Sequence, residues 1–373
     1  MKAFANIKVA ALLVLYLLLG WTPPVSAAGQ DSCKLVFLFS YNPEFWAVMD
    51  EDQGLVQGLA ESGLAEGQNA EVVRLYMDTK RKNKTEEQMR VAGEELAEEI
   101  RAIAPDVLFI MDDDALRHVG GKLFDNGPPI VFAGVNLPVT NPDYAWLPGG
   151  SRGPLADSLE RPGHNITGVQ ETMNLAAGFK LLHEILPRGE TALFLSDNSL
   201  AGTEFLRAAG GEGALDNPYF RIVGMEYTDS FETLKRLVLD HQDTVDCIVL
   251  FIPWTLEDEN GQHVPQEEVV RWMVLNNRRP GVAYLDILAQ EGYLCGVVVD
   301  MVQQGRHAAL MGARILNGEN PADMPVLDPV ANRIIVNLAR AQQLGVDVPF
   351  SVLKDADVVH KEMSAYPEFK FKE

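Results

Sequence analysis

Apolar runs of strand length alternate with stretches of helical spacing along most of the chain. The run from Lys34 to Ser40 (KLVFLFS) is continuous rather than alternating, the pattern of a parallel strand covered on both faces. A helix is predicted from Glu44 to Ser62, ended by Gly63 and Gly67, and a strand from Glu71 to Asp78. Thr85 and Gln88 form a capping box, each side chain satisfying the other's backbone donor. Behind it Met89, Ala92, Leu96, Ile100 and Ile103 share one helical face until Pro105 stops the helix. A strand over Asp106 to Met111, a short helix over Ala115 to Phe124 and a strand over Pro129 to Val135 complete this half.

The pattern lapses from Leu137 to His164, where Pro138, Pro142, Pro148, Gly149, Gly150, Pro154, Pro162 and Gly163 crowd together. A structureless stretch of that length is out of place inside one compact domain, so it reads as a linker with a flap. Alternation then resumes. Helices are predicted over Asn174 to Leu186, Gly202 to Ala209, Ser230 to His241 and Pro265 to Asn277. Strands are predicted over Thr191 to Ser196, Phe220 to Tyr227, Val245 to Ile252 and Gly281 to Asp286. A strand-like run from Tyr293 to Val299, a helix from Met301 to Asn317, an extended piece from Val326 to Val336 and a short helix stopped by Gly345 follow. The fold class is α/β, with two doubly wound parallel-sheet lobes.

Length and composition agree with that picture. A chain of 373 residues suits two core-forming domains, and 47% hydrophobic with 23% charged residues is ordinary for a soluble protein. The start of the chain differs. Lys2 and Lys8 precede an apolar run from Val9 to Trp21, and Val25, Ser26 and Ala27 make a small-residue cleavage site. Residues 1–28 therefore read as a secretory signal, cut after Ala27 or Ala28; the apolar core is short of the ~20 residues a membrane span needs. Cys33 follows Gln30, Asp31 and Ser32, which does not suit a lipid attachment site. The mature chain is expected to be soluble and periplasmic.

Loss of the signal removes two lysines and deepens the formal charge of −22, a balance opposed to nucleic-acid binding. Three cysteines leave at least one unpaired, and Cys247 and Cys295 lie inside strand patterns, as buried free thiols would.

Ligands of open parallel sheets gather at the carboxyl ends of the strands. Those ends carry Ser40 and Tyr41, Asp78, the run Asp112, Asp113 and Asp114, Asn136, Asp197 and Asn198, Trp254, Asp286 and Asp300, with Trp46 close behind Tyr41. Any one of these acids or amides reads first as a helix cap. Their recurrence at nearly every crossover describes an acid-lined cleft with aromatic walls, suited to a small molecule with an amino group and an apolar body. Asp112 to Asp114 also offer a metal-dependent hydrolase reading, but no phosphate-binding loop G-x-x-x-x-G-K-[ST] accompanies them. H-E-x-x-H and G-x-S-x-G are missing too, and the seven histidines show no metal spacing. No cofactor is expected. The basic run from Lys80 to Lys84 reads as a solvated loop.

Four segments, PPIVFAGVN (128–136), HNITGVQETMNLAAGFKLLHEILP (164–187), CGVVVDMVQQGRHAALMGARILNGENPADMPV (295–326) and VNLARAQQLGVDVPFSVLKDADVV (336–359), resemble the substrate-binding proteins of ABC transporters with the type I periplasmic-binding fold. The branch most similar binds aromatic amino acids such as tryptophan. The resemblance implies two lobes joined by a three-crossover hinge, with 34–137 plus 289–320 in the first, 165–288 plus 321–365 in the second, and 138–164 as linker or flap. It implies a non-enzymatic monomer that captures an amino acid or amine-like molecule and delivers it to a permease in the inner membrane. The family's ligand positions fall on Ser40, Tyr41, Asp114, Asn136, Asp197, Asp286 and Asp300; Trp46, Asp113 and Trp254 join them from the residue reading. This chain departs from transport members at Asn136-Leu137-Pro138, where they carry Asp-Pro, and in the loop from Ser196 to Ser199. SYNPEFW (40–46) and YMDTKRK (76–82) are more similar to sensory members that present a ligand-bound form to a signalling receptor.

Overall fold

In a computed structural model that describes residues 32–198, 202, 206, 211–327 and 332–372, the apolar runs become two separate sets of parallel strands. The expected signal segment and, but for two residues, the expected helix over 202–209 lie outside the described residues.

The first lobe opens with β1 (Cys33–Phe39), α1 (Trp46–Glu61), β2 (Ala70–Tyr76), α2 (Glu86–Ile103) and β3 (Val107–Met111). The capping box forms as expected: the Gln88 amide donates to Thr85 Oγ1 at 3.3 Å and the Thr85 amide to Gln88 Oε1 at 3.0 Å. A helical run follows, starting at Asp113–Ala115 and passing through a π turn, Leu116–Gly120. Next come β4 (Ile130–Val135), the two-residue strands β5 (Ala145–Trp146) and β6 (Arg152–Gly153), and β7 (Ile166–Gln170). The sheet order is β2-β1-β3-β4-β7, all parallel. Strands β1, β3, β4 and β7 are buried almost throughout, which is why their sequences do not alternate.

The passage from 138 to 164 is not a linker between lobes. Val139, Tyr144, Ala145, Leu155 and Ala156 are buried in the same core as Val36, Leu108 and Phe132. Its prolines shape a cover over the first lobe, and the few apolar residues among them anchor it. The boundary expected at 165 also moves, because β7 pairs with β4 and belongs to the first sheet.

The second lobe holds α3 (Leu175–Ile185), β8 (Thr191–Ser196), β9 (Arg221–Tyr227), α4 (Phe231–His241), β10 (Cys247–Leu250), α5 (Gln266–Asn276), β11 (Val282–Ala283), α6 (Asp286–Glu291) and β12 (Cys295–Val299). The chain then returns to the first lobe for α7 (Met301–Leu316), which packs along α1. Small residues permit that approach: a Cβ on Gly54 would run into the Val302 carbonyl, and one on Gly305 into that of Glu51. Residues 324–327 stay with the first sheet, Thr167 Oγ1 donating to the Met324 carbonyl at 2.9 Å and the Gln170 amide to that of Leu327 at 2.9 Å. Finally β13 (Asn332–Asn337), α8 (Leu338–Leu344), α9 (Phe350–Asp355) and β14 (Val358–His360) re-enter the second lobe.

The second lobe's strands run in the orders β10-β8-β9 and β11-β12-β13-β14, the two pieces stitched by the Ile248 amide on the Pro280 carbonyl at 3.1 Å. Among the described strands of this lobe, only β12 and β13 pair antiparallel. Strand β12 leaves the lobe at its carboxyl end, so a chain coming back from the other lobe enters in the opposite sense. Three crossovers thus join the lobes: between Gln170 and Leu175, at Asp300, and between Leu327 and Asn332. The expected boundaries at 289 and 321 both shift, since 289–299 lie in the second lobe and 321–327 in the first. All three cysteines are free thiols, Cys247 and Cys295 buried. Among the described residues no helix is long and apolar enough to cross a membrane.

Candidate functional site

The lobes meet where their strand ends face each other. Ala47 of α1 belongs to the second lobe's core, and Phe45 and Trp46 pack on it. The cleft is therefore closed in this structure, and its walls can be read residue by residue.

Its centre is a residue the sequence reading placed in a solvated loop. Lys80 follows β2, and its Nζ lies 3.9 Å from the ring centroid of Tyr41, 3.7 Å from that of Phe45 and 4.5 Å from that of Trp254. Tyr41 and Phe45 come from the first lobe and meet edge to face at 4.9 Å; Trp254 comes from the second. Burial pushes the Lys80 ammonium down to about 8, while Asp112, Asp114 and Glu51 pull it back up. The neighbouring cations do behave as a surface loop: Arg81 pairs with Asp78 and Glu44, and Lys82 with Asp78.

Carboxyl groups lie behind the cage. Glu51, on the buried face of α1, is fully buried, and neither of its oxygens has a hydrogen-bond partner among the described residues. Burial first, then Asp112 and Glu171, push its pKa well up. Gly134 makes room for it, with φ of 67° and a Cβ position only 2.6 Å from Glu51 Oε1. Asp112 turns the chain at the end of β3 with φ of 68°, and one of its oxygens is buried without a hydrogen-bond partner among the described residues. Glu171 is buried just past β7, raised by burial and by Asp112 and Asp113, and eased by a hydrogen bond from Asn136.

The expected site residues divide into those that face this centre and those that brace it. Tyr41 and Trp254 are cage walls, and Trp46 stacks at a tilt on Phe45 at 5.7 Å. Asp114 accepts from Thr79 Oγ1 at 2.8 Å, close enough to act on Lys80. Ser40 is wholly buried: its hydroxyl donates to the Met111 carbonyl and accepts from the Ala115 amide, both at 2.9 Å. Asp113 accepts from the Asn136 amide and Tyr144 Oη at 2.9 Å, and burial holds it up at about 6. Asp197 is a brace as well, fully buried and accepting from the Trp254 amide at 2.6 Å and the Thr255 amide at 2.8 Å. It fixes the loop that presents Trp254, whose indole Nε1 donates to Gln266 Oε1 at 2.7 Å.

Asp286 and Asp300 meet a cation that the sequence reading did not single out. Arg333 of β13 lies 3.2 Å from Asp286 and 3.6 Å from Asp300, and Asp300 also caps α7 through the Gln303 amide at 3.1 Å. Asp50 of the first lobe feels the same cluster: burial and Asp286 raise it, and Arg333 lowers it. So the acid-lined cleft carries two cations of its own. A recess of about 540 Å³ along Glu190 and Pro218 to Ile222 lies on another edge and involves none of these side chains.

The hydrolase arrangement finds little support in this geometry. Asp113 is held by Asn136 and Tyr144, Asp114 by Thr79, and among the described residues no three His, Cys, Asp or Glu side chains are placed to hold a metal ion.

Comparison with known proteins bears on the fold and the family. Residues 268–360 match the family described as ABC transporter substrate binding protein. No curated protein matches this chain. Among solved structures, an ABC domain from Streptococcus pneumonia in complex with L-Trp has 21% identity and a TM-score of 0.62, with 88% of this chain and 99% of that one covered. A conserved domain protein from Vibrio cholerae has 20% identity and a TM-score of 0.62 over the same shares of the two chains. A ligand-free, open substrate binding protein with adhesive properties from Clostridium difficile has 19% identity and a TM-score of 0.64, again over 88% of this chain and 99% of that one. The chain thus has the two-lobed type I periplasmic-binding fold of these solved structures, and its residues 268–360 match the ABC transporter substrate-binding family.

Proposed function

We propose that this chain is a periplasmic solute-binding protein that closes on one small molecule bearing an ammonium group and an apolar, aromatic-compatible body, and delivers it to an ABC permease. One observation carries the reading: a three-ring cage built from both lobes, Tyr41 and Phe45 against Trp254, already holds an ammonium. Cation–ring attraction contributes about 0.5–1 kcal/mol at exposed sites and ~2 kcal/mol or more when desolvated. Because Trp254 belongs to the opposite lobe, that attraction is complete only when the lobes are closed. A ligand supplying the cation gains affinity for the closed state over the open one, which is what drives closure. The buried carboxyls beneath offer oxygens without a hydrogen-bond partner among the described residues to the ligand's N–H donors.

The L-Trp complex among the structural relatives makes L-tryptophan the first molecule to test. A thermal-shift screen of amino acids and amines on the mature chain should find one that raises the melting temperature. Ligand at one hundred times its dissociation constant stabilises by about 2.7 kcal/mol. The ligand should be recovered unchanged. Its conversion to product would favour an enzyme, and a screen in which only anions bind would remove the cationic reading.

A sensory role is the second reading, favoured by Asn136 and Leu137. Their amides both bond to Asp113, at 2.9 and 3.4 Å, in place of the Asp-Pro of transport members. Pull-down of a signalling receptor rather than a permease by the ligand-bound protein would favour it.

A further inference from the structure

We infer that Lys80 is a tethered occupant of the ligand's cation subsite, so that an ammonium-bearing ligand binds by expelling the chain's own side chain. The inference rests on the reading of the cleft as a small-molecule site and goes one step further, to how that site selects. Its geometry is a single ammonium against three rings at 3.7 to 4.5 Å. Two rings stand on the lobe that carries Lys80 and one on the opposite lobe. The independent observation is Glu51, whose buried carboxyl lacks a hydrogen-bond partner among the described residues while lying near enough to act on Lys80. A buried polar group without a partner costs free energy, so Lys80 does not satisfy the acids behind the cage. A free ligand amine is not restrained by a backbone tether at residue 80 and reaches deeper.

Two consequences follow from one contact. Lys80 helps hold the lobes together, and it competes with the ligand. Apparent affinity falls by the fraction of molecules whose subsite is open to the ligand. Removing the whole side chain, so that the subsite stands open, therefore raises affinity for small cations while loosening closure. Arg81 and Lys82, paired with Asp78 outside the cage, do neither.

The probe is n-butylammonium, which matches the lysine side chain beyond its Cα. Calorimetry on the mature chain should show Lys80→Ala binding it at least ten-fold more tightly than wild type, and a Trp254→Ala change in the Lys80→Ala background should abolish the gain. Lys80→Met fills the space without charge and should show no such gain. Equal binding by wild type and Lys80→Ala, or no binding by Lys80→Ala, overturns the inference. A second measurement needs no variant. In wild type, acetic anhydride should modify Lys80 at least ten-fold more slowly than Lys82, whose side chain is 77% exposed, and saturating n-butylammonium, which consumes reagent for both lysines alike, should raise the ratio of Lys80 to Lys82 modification. Equal rates without the amine, or a ratio of Lys80 to Lys82 modification that the amine leaves unchanged, overturn it as well. A small molecule that binds wild type and Lys80→Ala alike would leave the binding-protein reading standing and sink only the role of Lys80.

Discussion

Lys80 and Trp254 show how a residue's meaning depends on what the fold places opposite it. Trp254 is fixed on three sides: Asp197 holds its amide, Gln266 its indole nitrogen, and Lys80 covers its face. Trp254→Ala should weaken a cationic ligand about ten-fold or more, the ~1.4 kcal/mol expected from losing one desolvated ring, as calorimetry would show. Asp300→Asn should matter less. Asparagine caps a helix as well as aspartate does, and Arg333, only partly buried, keeps Asp286 as a partner. A stability change within about 1 kcal/mol is expected in urea titration.

Tyr41, Trp254 and the acids at Asp112 to Asp114 were legible because strand ends are where open sheets bind. Lys80 was equally at a strand end, but the adjacent Arg81, Lys82 and Lys84 made it look like one more solvated charge. Glu51 left a signal that went unread: it falls between Val48 and Leu55 on the buried face of α1, where an acid needs a reason. Arg333 gave none, since its partners come from distant parts of the chain.

At the scale of elements, most boundaries were visible because local chemistry sets them. Thr85 and Gln88 start α2, and Asn174 and Ser230 cap α3 and α4 through the amides of Ala177 and Thr233. Thr85→Ala should cost about 1 kcal/mol, measured by chemical denaturation. What local pattern did not carry was which sheet an element joins. Strand β7 was expected beyond the hinge and 138–164 as a linker or flap, yet both pack on the first lobe through contacts with β4, Val36 and Phe132. Strand β12 and α7 are consecutive, and only the three-dimensional crossover at Asp300 assigns them to different lobes. Gly134 marks a tighter constraint. Any side chain there is strained at φ of 67° and crowds Glu51, so Gly134→Ala should destabilise by about 1–3 kcal/mol in urea titration.

For the whole molecule, buried acids dominate the pH response. Glu291, bonded to Gln266, is pushed by burial to about 7; Asp113 sits at about 6, and Glu51, Asp112 and Glu171 are raised as well. A raised carboxyl keeps its proton in the folded state after the unfolded chain has lost it. Its contribution is full below the unfolded value near 4.5 and is lost as pH rises through the folded value. The protein should therefore melt higher at pH 5 than at pH 8. Glu291→Gln should remove a share of that slope on the order of 3 kcal/mol between those limits, and thermal unfolding across pH checks both. Lys80 acts the other way above about 8, where its early loss of a proton favours the folded state up to the ordinary lysine value.

On the proposed function, the two lobes close on one small ammonium-bearing molecule through a cage shared between them. Native mass spectrometry of the mature chain, titrated with the molecule found by thermal shift, tests it most directly when run beside Trp254→Ala. One unchanged molecule should be bound per chain, with occupancy falling at least ten-fold in the variant. Turnover of the molecule, or full occupancy without the Trp254 ring, would contradict it.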